Sequence, residues 1–303
     1  MHRDLTGAMA LTLTTLLMAT PALAQDADRG ISVTDEGDEP RVELRYAWTE
    51  GLSETTVSVA DTTAIATLNG IPESESQTSI SSTVVRTVTE VDSDGVARVE
   101  FSVDGPERPD ALGLWLAEVL PGEGMEALQA ELAEISDYSG WMSLDARGVL
   151  LDYGVDGLSE AHAEVLVQTR GLGGDVLVLP EEPVGVGATW DSYAEVFATN
   201  LEFESETTTT LVAMEGSDLT LEQTYSAASE PNLGLERAFV TAGAIYSSQE
   251  LEGSSTTNLS LDGLAQTGAG EIQLSVIAGT SAGGYGTEAE VDLDMAITAS
   301  AGE

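Results

Sequence analysis

Acidic and apolar residues alternate one for one from Glu288 to Met295: Glu288, Glu290, Asp292 and Asp294 interleave with Ala289, Val291, Leu293 and Met295. Side chains that repeat every two residues lie on opposite faces of an extended chain. Ionised carboxylates cannot be buried without partners, so one face must stay in water while the other is covered. The same pattern recurs elsewhere. Leu201, Phe203, Ser205 and Thr207 oppose Glu202, Glu204 and Glu206, and Leu219, Leu221, Gln223 and Tyr225 return after a turn at 214–218. Antiparallel sheets meet this demand, burying one face and solvating the other.

The pattern extends toward the N-terminus with two changes of period. Val42, Leu44, Tyr46 and Trp48 alternate with polar or small residues, Thr55 to Leu68 is rich in Thr and Val, and Ile80 to Val91 leads through Asp92-Ser93-Asp94-Gly95 into Val96 to Val103 as a hairpin. Helical spacing then appears at Leu112, Trp115, Leu116 and Val119, again at Met125, Leu128, Leu132 and Ile135 after Pro121-Gly122, and at Leu158 to Arg170 with Ser159 as cap. Trp141 to Asp145 and Val149 to Tyr153 flank another turn, and Ile272, Leu274 and Val276 form a further strand. The expected fold is α+β and dominated by β: a curved antiparallel sheet or half-barrel, in two related halves (41–178 and 179–300), with two to three short amphipathic helices between them.

The chain begins with an export signature. His2 and Arg3 precede an apolar run from Ala8 to Ala19, then Pro21 and Ala22-Leu23-Ala24, which reads as a signal peptide over 1–24 cleaved before Gln25. Residues 25–40 are acidic without apolar periodicity and are expected to be disordered, leaving 41–300 as a single β-rich domain. The expected location is periplasmic or extracellular. No later run reaches the roughly 20 apolar residues of a membrane-spanning helix, and the absence of Cys removes disulfides and a lipidated cysteine anchor. Low aromatic content argues against an outer-membrane barrel with its aromatic girdles.

Charge excludes some partners. There are 53 Asp and Glu against 10 Arg and no Lys, a formal net charge of -43. Nucleic acid and anionic headgroups are recognised through basic patches, so neither is an expected partner. A carboxylate surface of this density fits a salty medium, where counterions screen the self-repulsion.

Catalytic motifs are sparse. Beyond the signal peptide His162 is the one histidine, lying between Glu160 and Glu164 in an expected helix. Asp92-Ser93-Asp94-Gly95 carries a fragment of a calcium loop without its remaining ligands, and reads better as a hairpin turn. So many acids guarantee some pair at glycosidase spacing, and for the same reason none can be nominated. No metal and no cofactor is expected.

Leu179-Pro180-Glu181-Glu182-Pro183-Val184-Gly185-Val186-Gly187-Ala188-Thr189-Trp190 resembles a motif in a family of exported bacterial β-rich proteins of unknown function. The strand Val42 to Trp48 with its turn at Glu50-Gly51, and Leu144 to Gly148 followed by Val149 to Asp152, fit the same family, over most of 41–230. The resemblance carries no catalytic residue. A curved sheet whose apolar face amphipathic helices could close over reads, separately, as a non-catalytic exported protein that binds an apolar or lipid-like ligand, with Trp115, Leu116, Val119, Leu128 and Leu132 as the covering surface. The alternatives are a structural or interaction module pairing with an envelope protein and, third, a carboxylate-based hydrolase.

Overall fold

The computed structural model describes residues 31–104, 137–157, 176–198, 201–229, 244–282 and 285–302. These form twelve strands: β1 (Ser32–Asp35), β2 (Ser53–Leu68), β3 (Ile71–Val91), β4 (Ala97–Asp104), β5 (Asp137–Leu144), β6 (Leu150–Val155), β7 (Thr189–Ala198), β8 (Leu201–Glu215), β9 (Asp218–Ser229), β10 (Ala244–Ser260), β11 (Gln266–Ala282) and β12 (Tyr285–Ala301). All belong to one open antiparallel sheet in the order β1-β7-β8-β9-β10-β11-β12-β2-β3-β4-β5-β6. Two meanders, β2 to β6 and β7 to β12, are therefore joined edge to edge by the β12–β2 pairing.

This corrects the α+β expectation, because the described residues are strands and loops with no helix among them. The three segments with helical spacing lie outside the described residues. Of the 25–40 stretch expected to be disordered, residues 31–40 are described: Ser32–Asp35 pairs with β7 and the Asp38 amide donates to the Val186 carbonyl at 2.9 Å, so this part is tied to the sheet. Low apolar periodicity was a poor guide here because an edge strand draws its stability from backbone pairing.

Val42 to Trp48 alternates as expected, with Leu44 and Tyr46 buried, yet it is not a strand of the sheet. One bridge joins Val42 to Val184. Beyond it the backbone bonds go to distant loops: the Tyr46 amide donates to the Ala146 carbonyl and the Ala47 amide to that of Leu261, both at 2.7 Å. Adjacent residues thus tie the β5–β6 turn to the β10–β11 turn, which are far apart along the sheet. The sheet must curl to bring them together.

The core sits at that end. Val88, Ala97, Val99, Met142 and Leu144 from β3 to β5 share one apolar cluster with Leu211, Leu219, Leu221 and Leu259 from β8 to β10. Leu44, Tyr46, Leu177, Leu179 and Val184 fill the space between them. The proline-glycine motif supplies much of this plug. Leu179, Val184, Ala188 and Trp190 are buried, and Arg45 donates to the Pro180 and Glu181 carbonyls at 3.0 and 2.9 Å. Gly185 lies against the Asp38 carbonyl, where a Cβ would overlap it.

Outside, the sheet manages its acids by register. From β9 across to β3, no acid in the described pairs stands directly opposite another. Glu252 faces Ser226 and Gln273, Asp294 faces Gln273 and Thr63, Asp292 faces Ser275 and Ile65, and Asp61 faces Ala296 and Ser79. Like charges directly opposite destabilise a pair. With few cations to neutralise them, interleaving with neutral partners is what remains.

Candidate functional site

The long strands run past the core. At ~3.3 Å per residue, the 17 residues of β10, β11 and β12 extend about 55 Å, and the apolar cluster occupies one end. Beyond it the buried face changes character, in two adjacent rows of directly paired residues. One runs Thr209, Gln223, Ser255, Gly270, Ile297, Ala60; the next runs Thr207, Tyr225, Gly253, Ile272, Met295, Thr62.

Gln223, 2% exposed, is the hub. Its Oε1 accepts from the Tyr225 hydroxyl at 3.1 Å and Thr257 at 3.1 Å, and Tyr225 lies 2.6 Å from the Ser255 hydroxyl. The hydroxyls of Thr62 and Thr207, at the two ends of the second row, and of Thr56 nearer the core, are buried with no hydrogen-bond partner among the described residues. Leaving a buried hydroxyl unmet costs about 1–3 kcal/mol. Ile272, Leu274 and Met295, each 3–4% exposed, lie on the same face. Cβ atoms at Gly253, Gly268 or Gly270 would overlap atoms of the adjoining strand, so the close approach of β10 and β11 requires glycine there.

Charge is almost absent from this face. Among the described strand residues it carries Glu54 and Arg86, which stand directly opposite each other. Both hold the β10–β11 turn. The Glu54 carboxylate accepts from the Leu264 and Ala265 amides at 2.6 and 2.5 Å, and Arg86, 4% exposed, donates to the Leu264 carbonyl at 3.2 Å. The nearby buried Tyr46 hydroxyl donates to the Leu177 carbonyl at 3.0 Å; burial raises its pKa, with the Arg86 charge acting in the opposite direction.

A groove of about 780 Å³ on β11, β12, β2 and β3 is lined mainly by their solvent-facing residues, Asp61, Gln77, Glu271, Gln273 and Asp294 among them, and is also reached by Thr62, Ile272 and Met295.

Trp115, Leu116, Val119, Leu128 and Leu132, the covering surface expected from the sequence, lie outside the described residues, as does His162. Asp92 to Gly95 is a turn whose carboxylate is already engaged: Asp92 Oδ1 accepts from the Asp94 and Val96 amides at 2.8 and 2.9 Å. Asp145 builds the same turn between β5 and β6 through the Arg147 and Val149 amides. No group of three acidic or histidine side chains placed to hold a metal occurs among the described residues. The Gln223 cluster and the unmet threonines were not singled out from the sequence. Their one signal is Thr, Ser and Gln at positions whose alternation points them to the apolar face.

No family model matches this chain, and no curated protein matches it. Among solved structures it is similar, at a TM-score of 0.20 and 11% identity, to TldE from Thermococcus kodakarensis, over 80% of this chain and 40% of that one. Ail of Yersinia pestis gives 0.12 and 6% identity over 83% and 100% of the two chains; OccK8 (OprE) of Pseudomonas aeruginosa gives 0.18 and 8% over 84% and 99%. The chain thus spans 40% of the length of TldE. At such scores none of the three carries an argument about fold or function.

Proposed function

We propose that this chain is an exported, non-catalytic binding protein of the cell envelope that holds an amphipathic, lipid-like ligand along the buried face of its long strands. The observation that supports this reading is the mixed lining: Thr56, Thr62 and Thr207 hydroxyls without a protein partner share a face with Ile272, Leu274 and Met295. A ligand with a polar end and an apolar body satisfies both kinds of surface. Native mass spectrometry of the mature protein purified from its own envelope, followed by organic extraction, tests it. The expected result is a lipid at about one per chain, and a clean apo mass overturns the reading.

An interaction module is the second reading, favoured by the sheet's edge. Among the described residues β6 ends the strand order with no strand on its outer edge, the position at which strand addition would occur, and Leu151 on it is 55% exposed. If the chain is apo, crosslinking at Leu151 in intact envelopes is the corresponding search.

A further inference from the structure

We infer that the open edge of β3 receives an extended basic segment of another protein as an added strand, with the acidic groove beside it selecting the charge. This goes beyond the carrier reading and uses the solvent-facing side of the sheet. Three observations carry it. First, β4 pairs with β3 only from Thr83 to Val91, so among the described residues Ser74 to Ser82 has β2 on one side and no strand on the other. Its register with β2 runs without a shift from Ser74 opposite Ala66 to Thr87 opposite Ser53, and the open stretch contains no proline. Native sheets commonly block such an edge with a bulge or a proline.

Second, the backbone of this edge faces outward at definable positions. Val88 exchanges its backbone bonds with Gly51 and Leu52, on the β2 side. Alternate residues of an antiparallel strand bond to alternate neighbours. The even residues of β3 therefore bond to β2, while Glu75, Gln77, Ser79 and Ser81 direct their amides and carbonyls to the open side. All four are exposed, and Gln77 and Ser79 line the groove.

Third, the groove is acidic. Asp61, Glu271 and Asp294 line it, and none of its described lining residues is basic. Ser79, Asp61, Ala296 and Glu271 stand in one directly paired row, so the residue between the edge and the first carboxylate is small. A strand added to β3 would lie about 10 Å from β2, a gap that an arginine passing over Ser79 and the Asp61 carboxylate close between them. A second basic residue four positions along the same face stands opposite Glu75. The net charge of -43 draws such a segment in and repels an acidic one. Backbone pairing supplies affinity and the two carboxylates choose the sequence, as in other strand additions.

The test uses the mature chain and three capped synthetic peptides: TRTTTRT, its acidic counterpart TETTTET, and TRTPTRT, which keeps the charge and breaks the strand. Isothermal titration calorimetry in 20 mM NaCl is expected to show one TRTTTRT per chain, with the other two at least about tenfold weaker. Ser79→Pro removes only an outward amide, a position where an edge strand tolerates proline. It is expected to keep the wild-type Tm while weakening TRTTTRT about five- to tenfold. Asp61→Asn and Glu75→Gln are each expected to weaken it about two- to fivefold, an effect that fades at high salt. Hydrogen exchange reads the edge directly: the Gln77, Ser79 and Ser81 amides are expected to exchange fast in the free chain and to be protected by TRTTTRT. That measurement keeps the test decisive should Ser79→Pro fold poorly. Equal binding of TRTPTRT, or of TRTTTRT to Ser79→Pro, reduces the effect to nonspecific charge attraction and overturns the inference. So do TETTTET binding as tightly, no binding at all, or edge amides already protected before peptide is added. Each of these outcomes leaves the carrier reading, on the opposite face, untouched.

Discussion

Gln273→Glu tests whether register is what makes so acidic a sheet tolerable. Gln273 is exposed and stands directly opposite Glu252 on β10 and Asp294 on β12. The substitution is nearly isosteric and aligns three carboxylates across three strands. Directly opposed side chains have Cβ atoms about 5 Å apart, and exposed carboxylates can rotate to roughly 6 Å. At that distance in water each new pair costs about 0.7 kcal/mol, so two cost about 1.4 kcal/mol at low salt. In 1 M NaCl the Debye length is about 3 Å and the penalty drops to roughly 0.2 kcal/mol. For a chain of this size the low-salt loss corresponds to about 3–6 °C in Tm. Differential scanning calorimetry of wild type and variant in 20 mM and 1 M NaCl measures both numbers. Gln273→Arg supplies the opposite sign, two exposed cross-strand pairs worth about 0.2–1 kcal/mol each, with the gain also fading in salt. A Gln273→Glu loss that persists undiminished in 1 M NaCl, or no loss at low salt, refutes the reasoning.

Further predictions address the rest of the molecule. Tm of the wild type should rise substantially from low to molar NaCl as repulsion among the carboxylates is screened, and a flat profile removes the salty-habitat account. Glu54→Gln weakens two charge-assisted bonds to the Leu264 and Ala265 amides and leaves Arg86 facing a neutral group; it is expected to cost about 1.5–3 kcal/mol in urea denaturation, with the m-value unchanged. Gly185→Ala must displace the Asp38 carbonyl and should lower stability by about 1–3 kcal/mol, visible as early proteolysis of the 31–40 segment. Because the folded pKa of Tyr46 lies above the unfolded value of 10.0, its contribution is complete below that pH and erodes as pH rises toward the folded pKa. Absorbance titration at 295 nm should show this tyrosine ionising only with alkaline unfolding, and Tyr46→Phe should remove that step.

Alternation was enough to find most of the strands and, in parts of β8, β9 and β12, which side chains face water. It placed Glu206 outside and Thr207 inside, and it put Asp292 and Asp294 of β12 in water. It succeeded because a carboxylate in every second position leaves one burial pattern open. The same reasoning failed at Val42 to Trp48, since an extended segment crossing between two sheet wings has the period of a strand without its ladder. The sequence also held the turns, for Asp-x-x-Gly followed by Val satisfies its own amides at 92–96 and at 145–149 through contacts a few residues long.

Long-range encounters needed the tertiary structure. Nothing local says that β12 pairs with β2, or that Arg86 meets Leu264 across 178 residues. Polar residues on the buried face were legible as strand formers but not as a cluster, because Gln223, Ser255 and Thr209 become neighbours only once three strands adopt one register. The sequence alone determined which face of the acid-alternating strands meets water, since a row of carboxylates cannot be buried unpaired. The tertiary structure decided which wings of the sheet meet and which hydroxyls are left without partners, since curvature and register bring together residues that the chain holds far apart.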